Sequence, residues 1–407
     1  MEKKNLPALI IICLANSVIY TLPFVQSTYY ESMRVAYGFT HLQMGNLIGF
    51  YGMGNLLAYF FGGIAADSFD TKQLFIFSLT VTGITGIYSA TYPPYHIMLL
   101  LSVVWSFSTI LTFWPASIKA IKSLADQRHQ GWVFGIKETL VCLMALIISM
   151  AGLWIFNKSE ANIAVLIGFY GICHLIVAVL VLFFMPAHKV ESKPVLKDLI
   201  GGIGKVLKLK GVWLIGSVIF FGTNIGIILN RLTPFLTTVC TIGASGVALI
   251  TIISTNGFAN IGSFSGGKIM DSLGSPAKFL AMTMGAFSVA ALLFVVMPWT
   301  GETVWLCVAF SVLFRIFNGG LRSAYFATMS QVDIPQNLIG TASGIISIIG
   351  YLPDAVGYTV WGAVMERFEP VKSFRIIFFA LVVCCILGMV CAIALHKFSK
   401  TQKCMTE

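Results

Sequence analysis

Gly62-Gly63-Ile64-Ala65-Ala66-Asp67-Ser68 returns 204 residues later as Gly266-Gly267-Lys268-Ile269-Met270-Asp271-Ser272, an offset of half the 407-residue chain. Each copy closes a long apolar run, is followed by a lysine (Lys72, Lys278) and gives way to another apolar run. Two halves that carry one signature at one point read as an internal duplication. In a chain of apolar runs, such a duplication reads as a transporter.

Composition supports that reading. Hydrophobic residues are 57% of the chain and charged residues 10%, against about 25% charged in an ordinary soluble domain. The apolar residues fall in blocks of about 20, the helix length that crosses a hydrocarbon core of about 30 Å. Twelve spans are expected: 7–29, 44–66, 73–92, 97–118, 132–156, 161–185, 211–235, 245–268, 277–297, 303–327, 337–362 and 373–396. Helices are expected throughout, because a barrel shows alternating ten-residue strands instead. Turn-formers separate many of the spans, among them Pro93-Pro94, Ser275-Pro276 and Glu369-Pro370. The first span follows Lys3 and Lys4 as a signal peptide does. It lacks an Ala-x-Ala cleavage site, and it reads as a retained first helix.

The basic residues set the orientation. With the N-terminus inside, 17 lysines and arginines fall on the cytoplasmic side and 6 on the other, so both termini are expected in the cytoplasm. The net charge of +10 thus reports topology and gives no case for nucleic acid. Residues 186–210 divide the chain into a six-helix bundle at 1–185 and another at 211–407. Leu196, Leu199, Ile200, Ile203, Val206 and Leu207 repeat there at helical spacing, with Lys197, Lys205 and Lys208 off the stripe. That pattern fits an amphipathic helix lying on anionic lipid, with a solvated linker as the alternative. The nine cysteines form no C-x-x-C pair; Cys13, Cys142, Cys173, Cys384, Cys385 and Cys391 read as packing residues within spans. No metal-ligand spacing appears, and Gly201-Gly202-Ile203-Gly204 lacks the Walker pattern, so no metal, cofactor or ATP use is expected.

Two six-helix halves, a basic middle connection and G-x-x-x-D after the second and eighth spans resemble the major facilitator superfamily. Its motif after helix 2 reads roughly G-x-x-x-D-R-x-G-R-R/K. Gly63, Asp67 and Lys72 keep that frame, while Ser68, Asp70 and Thr71 depart from it; the second copy keeps Gly267, Asp271, Gly274 and a displaced Lys278. The resemblance implies an all-α membrane fold of twelve transmembrane helices in two pseudo-symmetric six-helix bundles. It implies a gating role for Gly63, Asp67, Lys72, Gly267 and Asp271, with no substrate contact. Leu22-Pro23-Phe24 running into Tyr29-Tyr30, Phe113-Trp114 leading to Lys119, and Gly350-Tyr351-Leu352-Pro353-Asp354 look like a branch of bacterial sugar-type carriers that includes sulfoquinovose carriers. The G-P-x-x-G-G run of drug antiporters is absent from 131–156. The organophosphate:phosphate exchangers resemble the chain loosely, but their arginine in helix 1 is missing and Arg231 sits at the outer end of helix 7.

Ionisable groups at membrane depth cost about 2.5–3.5 kcal/mol each on insertion scales and so mark candidate sites. Arg315 lies near the middle of the tenth span, with Asn318 and Arg322 at i+3 and i+7 on the same face. By the family resemblance, helices 1, 4, 7 and 10 line a central cavity. Arg315 there presents a fork that matches a carboxylate, sulfonate or phosphate; pairing with a buried carboxylate is the structural alternative. Lys137 and Glu138 enter the fifth span about 100° apart, as a cross-helix ion pair or as transport residues. Asp354, behind Pro353, is the candidate coupling site, with Glu138 beside it. Tyr20 and Tyr30 on helix 1, Trp105, Thr109 and Thr112 at i, i+4 and i+7 on helix 4, and Asn224 on helix 7 are further candidate substrate residues. Packing is the structural alternative for each of them.

A secondary transporter working by rocker-switch alternating access is therefore expected. Its substrate is a small polar organic solute, an anion because Arg315, Lys137 and Arg322 together outnumber Glu138 and Asp354. Two alternatives stand beside it: a proton-coupled symporter of a neutral sugar or nucleoside, and a non-transporting receptor or sensor. No nucleophile–base constellation appears, so no enzyme is expected. Membrane lipid and the solute are the expected partners of a monomer in a bacterial inner membrane, with a coupling proton or counter-ion left open.

Overall fold

A computed structural model describes residues 6–123, 130–186, 203–335 and 338–406, and every regular element among them is helical. Seventeen helices can be named: α1 Leu6–Val18, α2 Val25–Thr28, α3 Tyr30–Tyr37, α4 His41–Ser68, α5 Thr71–Ser89, α6 Tyr95–Ser106, α7 Trp114–Ser123, α8 Gln130–Lys158 and α9 Ile163–Phe184. After the middle connection come α10 Lys210–Leu229, α11 Leu232–Thr238, α12 Ala244–Ile253, α13 Ala259–Leu273, α14 Pro276–Val296, α15 Val304–Ala324, α16 Ile339–Arg367 and α17 Pro370–Thr406. Segments of π-helix, Phe107–Phe113 and Ser254–Phe258, join α6 to α7 and α12 to α13. Most of the expected amphipathic stretch at 186–210 lies outside the described residues.

Among the described residues, nine helical runs are long and apolar enough to cross a membrane, and they occupy the expected fourth to twelfth spans. Their outward faces carry large apolar side chains such as Ile147, Phe183, Phe264 and Trp305, all more than 65% exposed. Apolar surface of that extent requires lipid around it. The 28-residue α4 and the 19-residue α5 stand at the second and third spans.

The expected first span, 7–29, is not one helix. It runs as α1, unwinds into turns over 19–24, and resumes as α2 and α3. Pro23 lacks an N–H and disfavours helical backbone at Leu22, so the ladder stops short of it. The seventh span divides in the same way: α10 ends at Leu229, Asn230 and Arg231 form a turn, and α11 follows with Pro234 as its third residue.

The chain forms two compact units, Met1–Pro194 with Ala244–Ile252, and Val195–Gly243 with Ile253–Glu407. In the first, α1 packs on α8 and α9, α4 on α6, and α5 on α9. Leu9, Ile12, Phe75 and Phe113 lie at its core, crossed by one polar link in which Asn16 and Ser117 exchange hydrogen bonds of 2.9 and 3.0 Å. In the second, α10 packs on α16 and α17, α13 on α15, and α14 on α17. Phe235 meets Phe294, Trp299, Phe374 and Phe378 edge-on, with centroids 4.9–5.5 Å apart.

The α13–α15 pair is held at backbone contact by glycine. A methyl group on Gly262 would overlap the Ile316 carbonyl, and one on Gly319 the Ala259 carbonyl. Ser263 Oγ closes the contact by donating to the Gly319 carbonyl at 2.9 Å, the small-residue packing by which membrane helices associate.

Candidate functional site

Helix α15 carries Ser311, Arg315, Asn318 and Arg322 at intervals of four, three and four, one face of a 3.6-residue helix. The first three are buried and Arg322 is exposed. The break after α10 faces this stripe. Leu229, as the last residue of α10, keeps a carbonyl free of the helix ladder, and Arg315 Nη2 donates to it at 3.1 Å. The same nitrogen donates to Asn230 Oδ1 at 3.2 Å, and Asn230 Nδ2 donates to Tyr358 Oη on α16 at 2.7 Å. Arg231, 2% exposed, places its guanidinium 5.3 Å from the centre of the Tyr358 ring. Three helices thus hold two buried guanidinium groups around one tyrosine.

Among the described residues no carboxylate lies within ion-pair distance of Arg315, whose partners are a carbonyl and an amide oxygen. No neighbouring carboxylate among the described residues thus offsets the guanidinium, which lies in a region of low dielectric where an anionic partner is worth most. Asn318 Oδ1 is buried without a hydrogen-bond partner one turn further along α15. Asp354 lies behind Pro353 on α16, partly buried. Arg322, Tyr325, Tyr351 and Tyr358 are within electrostatic reach of it, and Arg322 does not form a direct ion pair with it. Asn224 turns back on its own helix, donating to the Phe220 carbonyl at 3.0 Å.

The candidates of the first unit sit differently. Trp105 Nε1 donates to Thr85 Oγ1 at 2.8 Å, Thr109 Oγ1 meets Tyr51 Oη at 2.8 Å, and Thr112 Oγ1 meets Ser78 Oγ at 2.6 Å. The expected single face is divided among neighbours on α4 and α5. The π-helical segment from Phe107 adds residues per turn and shifts Thr109 and Thr112 away from α-helical register. Tyr30 stacks on His41 at 5.8 Å and shares a 3.0 Å hydrogen bond with it. Tyr20 Oη is buried without a hydrogen-bond partner. In the same unit Gln26, 4% exposed, and Trp105, Tyr51 and Ser102 line a small cavity.

Lys137 and Glu138 pair with each other, Nζ to Oε1 at 2.8 Å, with Lys137 buried and the Glu138 side chain 68% exposed. A long lysine side chain can curl back to a carboxylate on the next residue, so adjacent positions pair although their Cβ atoms diverge.

Of the gating candidates, Gly63 and Asp67 lie in α4, and their side-chain surroundings fall outside the described residues. In the second copy the packed glycine is Gly266, where a methyl group would come within 2.9 Å of Gly320 Cα; at Gly267 it would meet nothing within 4 Å. Asp271 is exposed, and its carbonyl accepts from Gly274, which turns the chain at a φ of +61°. Both copies then start the next helix with a side-chain cap. Asp70 accepts from the Lys72 N–H at 2.7 Å and Ser275 from the Lys278 N–H at 3.3 Å.

Arg231 and Tyr358 were not picked out by the sequence as site residues, because each lies in a separate span. The one local signal is the pair Asn230-Arg231 inside an otherwise apolar run.

The family model described as Major Facilitator Superfamily matches residues 8–358. Inner membrane protein YihN of Escherichia coli K12 is 26% identical over 99% of this chain and 98% of its own length. Inner membrane protein YqcE of the same strain is 25% identical over 97% and 95%. Among solved structures, a mutant form of the nucleoside transporter NupG superposes with a TM-score of 0.78 at 15% identity, covering 96% of this chain and all of the other. A bacterial homolog of the human lysosomal transporter Spinster, inward-facing and occupied, gives 0.73 at 14% over 98% of both. These structures share the fold at identities too low to say more. The chain belongs to the major facilitator superfamily, and it is a membrane transporter rather than an enzyme.

Proposed function

We propose that the chain is a secondary transporter of a small polar organic anion, moved by rocker-switch alternating access. Its acid group is received by Arg315, with Arg231, Asn230 and Asn318 around it. The observation that carries the reading is Arg315 itself. It is a buried guanidinium near mid-span whose described partners are all neutral, built onto a broken helix as substrate sites in transporters are. A guanidinium fork fits the paired oxygens of a carboxylate, sulfonate or phosphate, and lysine does not reproduce that fit.

The test is a thermal-shift series on the purified full-length protein with neutral, carboxylated, phosphorylated and sulfonated forms of one hexose. Stabilisation by an anionic member, lost in Arg315→Ala and incompletely restored in Arg315→Lys, supports the reading. Stabilisation by the neutral hexose alone, unchanged in Arg315→Ala, sinks it.

A second reading, proton-coupled transport of a neutral solute, is favoured by Asp354. It stands beside a helix proline, within electrostatic reach of three tyrosines and of Arg322, which does not pair with it. On that reading Asp354→Asn abolishes accumulation in proteoliposomes and spares exchange. On the anion reading the same variant keeps accumulation, and anion affinity stays equal or rises a few-fold because a nearby negative charge is gone.

A further inference from the structure

One hydroxyl ties the turn before α14 to two other elements of the second unit. Ser275 Oγ accepts from the Lys278 N–H at 3.3 Å and from Gln331 Nε2 at 2.8 Å. Gln331 closes the 3₁₀ turn Phe326–Gln331 that follows α15, and its amide is oriented by the Ala277 N–H, which donates to Oε1 at 2.9 Å. With both lone pairs of Ser275 Oγ engaged, its hydrogen is left for His396 Nδ1 on α17, 2.9 Å away. Nδ1 is thus the acceptor, and the ring carries its hydrogen on Nε2. The two ring nitrogens point in diverging directions, so the Nε2–H leaves on the side away from Ser275. Among the described residues nothing accepts it.

Two lysines stand around that donor. Lys400 follows His396 by one turn on the same face of α17, and the backbone of Lys278 is bonded to the hydroxyl that holds the ring. Both lie within electrostatic reach of His396. Both are exposed, and neither has an ion-pair partner among the described residues; Asp271, the acid of that turn, lies beyond ion-pair distance of them. One N–H and two ammonium groups are therefore left for an anion.

Along the two helices the same faces turn apolar. On α14, Met282 and Gly285 follow Lys278 at i+4 and i+7; on α17, Ile393 and Met389 precede His396 by three and seven residues. A methyl group on Gly285 would come within 3.1 Å of Met389 Sδ, so the two faces lie side by side. Met282 and Ile393 are exposed. At 1.5 Å per residue, Gly285 lies about 10 Å along α14 from Lys278. A cationic end above an apolar seam has the shape and polarity of a phospholipid's counterpart. The lysine and arginine distribution leads to the expectation that this end faces the cytoplasmic leaflet, where anionic lipids attract basic groups.

We propose that Lys278, Lys400 and the His396 Nε2–H bind the phosphate of an anionic phospholipid, with an acyl chain lying along the α14–α17 seam. The free oxygens of the phosphodiester accept from the imidazole and from the ammonium groups. Because the same Ser275 hydroxyl also receives Gln331, the lipid bears on the turn that ends the helix carrying Arg315. The site does not depend on what the transporter carries.

The test is native mass spectrometry of the purified full-length protein, titrated with phosphatidylglycerol or with phosphatidylcholine of the same acyl chains. Wild type should hold phosphatidylglycerol about 10-fold more tightly than phosphatidylcholine or better. Lys278→Gln combined with Lys400→Gln should lose most of that preference, and His396→Leu should weaken it several-fold. Lys205→Gln combined with Lys208→Gln, an equal loss of charge at exposed positions of the middle connection, should change it less than about 2-fold. Equal retention of the two lipids by wild type would overturn the proposal, as would an unchanged preference in the Lys278 and Lys400 double variant. Displacement of phosphatidylglycerol by inorganic phosphate at equal concentration would assign the site to a soluble phosphate and overturn the lipid reading. The wild-type titrations can refute the proposal even if a variant does not fold.

Discussion

In both units the leading helix is interrupted, and the two interruptions are furnished differently. The break over 19–24 in the first unit carries Tyr20 and Phe24 and has Tyr51 and Gln26 near it, neutral groups that are mostly aromatic. The break at Asn230 and Arg231 in the second offers its free carbonyl to Arg315 and seats Arg231 against Tyr358. A duplicated scaffold has thus kept a pause in the same helix of each half and loaded only one with charge. An unwound turn exposes backbone groups that a continuous helix would consume, which is why irregular backbone inside a membrane protein gathers polar partners. The second unit uses that opportunity for cations, and the first for a neutral wall rich in aromatic side chains.

The sharpest way to break this comparison is to remove charge from one side and polarity from the other. Arg315→Ala should weaken binding of the anionic substrate by about 100-fold or more, since stripping one partner from a buried charged pair costs about 3–5 kcal/mol. Tyr20→Phe should change it less than about 2-fold, because the buried hydroxyl has no hydrogen-bond partner to lose. Titration by calorimetry reads both, and a reversal of the order would move the anion contact into the first unit.

Packing offers a second, smaller contrast. Gly319→Ala forces a methyl group into the Ala259 carbonyl and should destabilise the second unit by about 1–3 kcal/mol. Gly267→Ala, with open space around it, should be neutral or slightly stabilising through helix propensity. Equal melting temperatures for the two variants would show that α13 and α15 do not meet as described. The smallest effect is expected in the first unit. Thr109→Val removes the 2.8 Å bond to Tyr51 and should lower stability by about 0.6 kcal/mol, the average for such bonds between membrane helices. A much larger loss, with transport abolished, would mean that Thr109 serves the substrate as well as the packing.

Much of this was legible in the chain. The Gly-Gly-x-x-x-Asp-Ser repeat announced two halves, the apolar blocks announced helices, and Arg315 stood out because a charge at mid-span has few structural excuses. Its companions did not stand out. Arg231 read as a helix end, and Tyr358 as one aromatic among thirteen tyrosines, because their meaning lies in facing α15 from other helices. Trp105, Thr109 and Thr112 share an α-helical face in the sequence, and the π-helical segment from Phe107 dissolves that face. Lys137 and Glu138 diverge by helical geometry and still pair, because side-chain length outweighs Cβ direction.

The sequence by itself determined the membrane class, the helical fold, the duplication and the most prominent buried cation. These depend on hydrophobicity and periodicity, which accumulate along the chain and need no knowledge of neighbours. Only the tertiary structure decided which groups share a site: that Arg315 finds a carbonyl and an amide rather than a carboxylate, and that Arg231 and Tyr358 join it. Hydrogen bonds and ion pairs act over about 3–4 Å. The residues that make them come from spans tens of residues apart, so only the packing of helices brings them within reach.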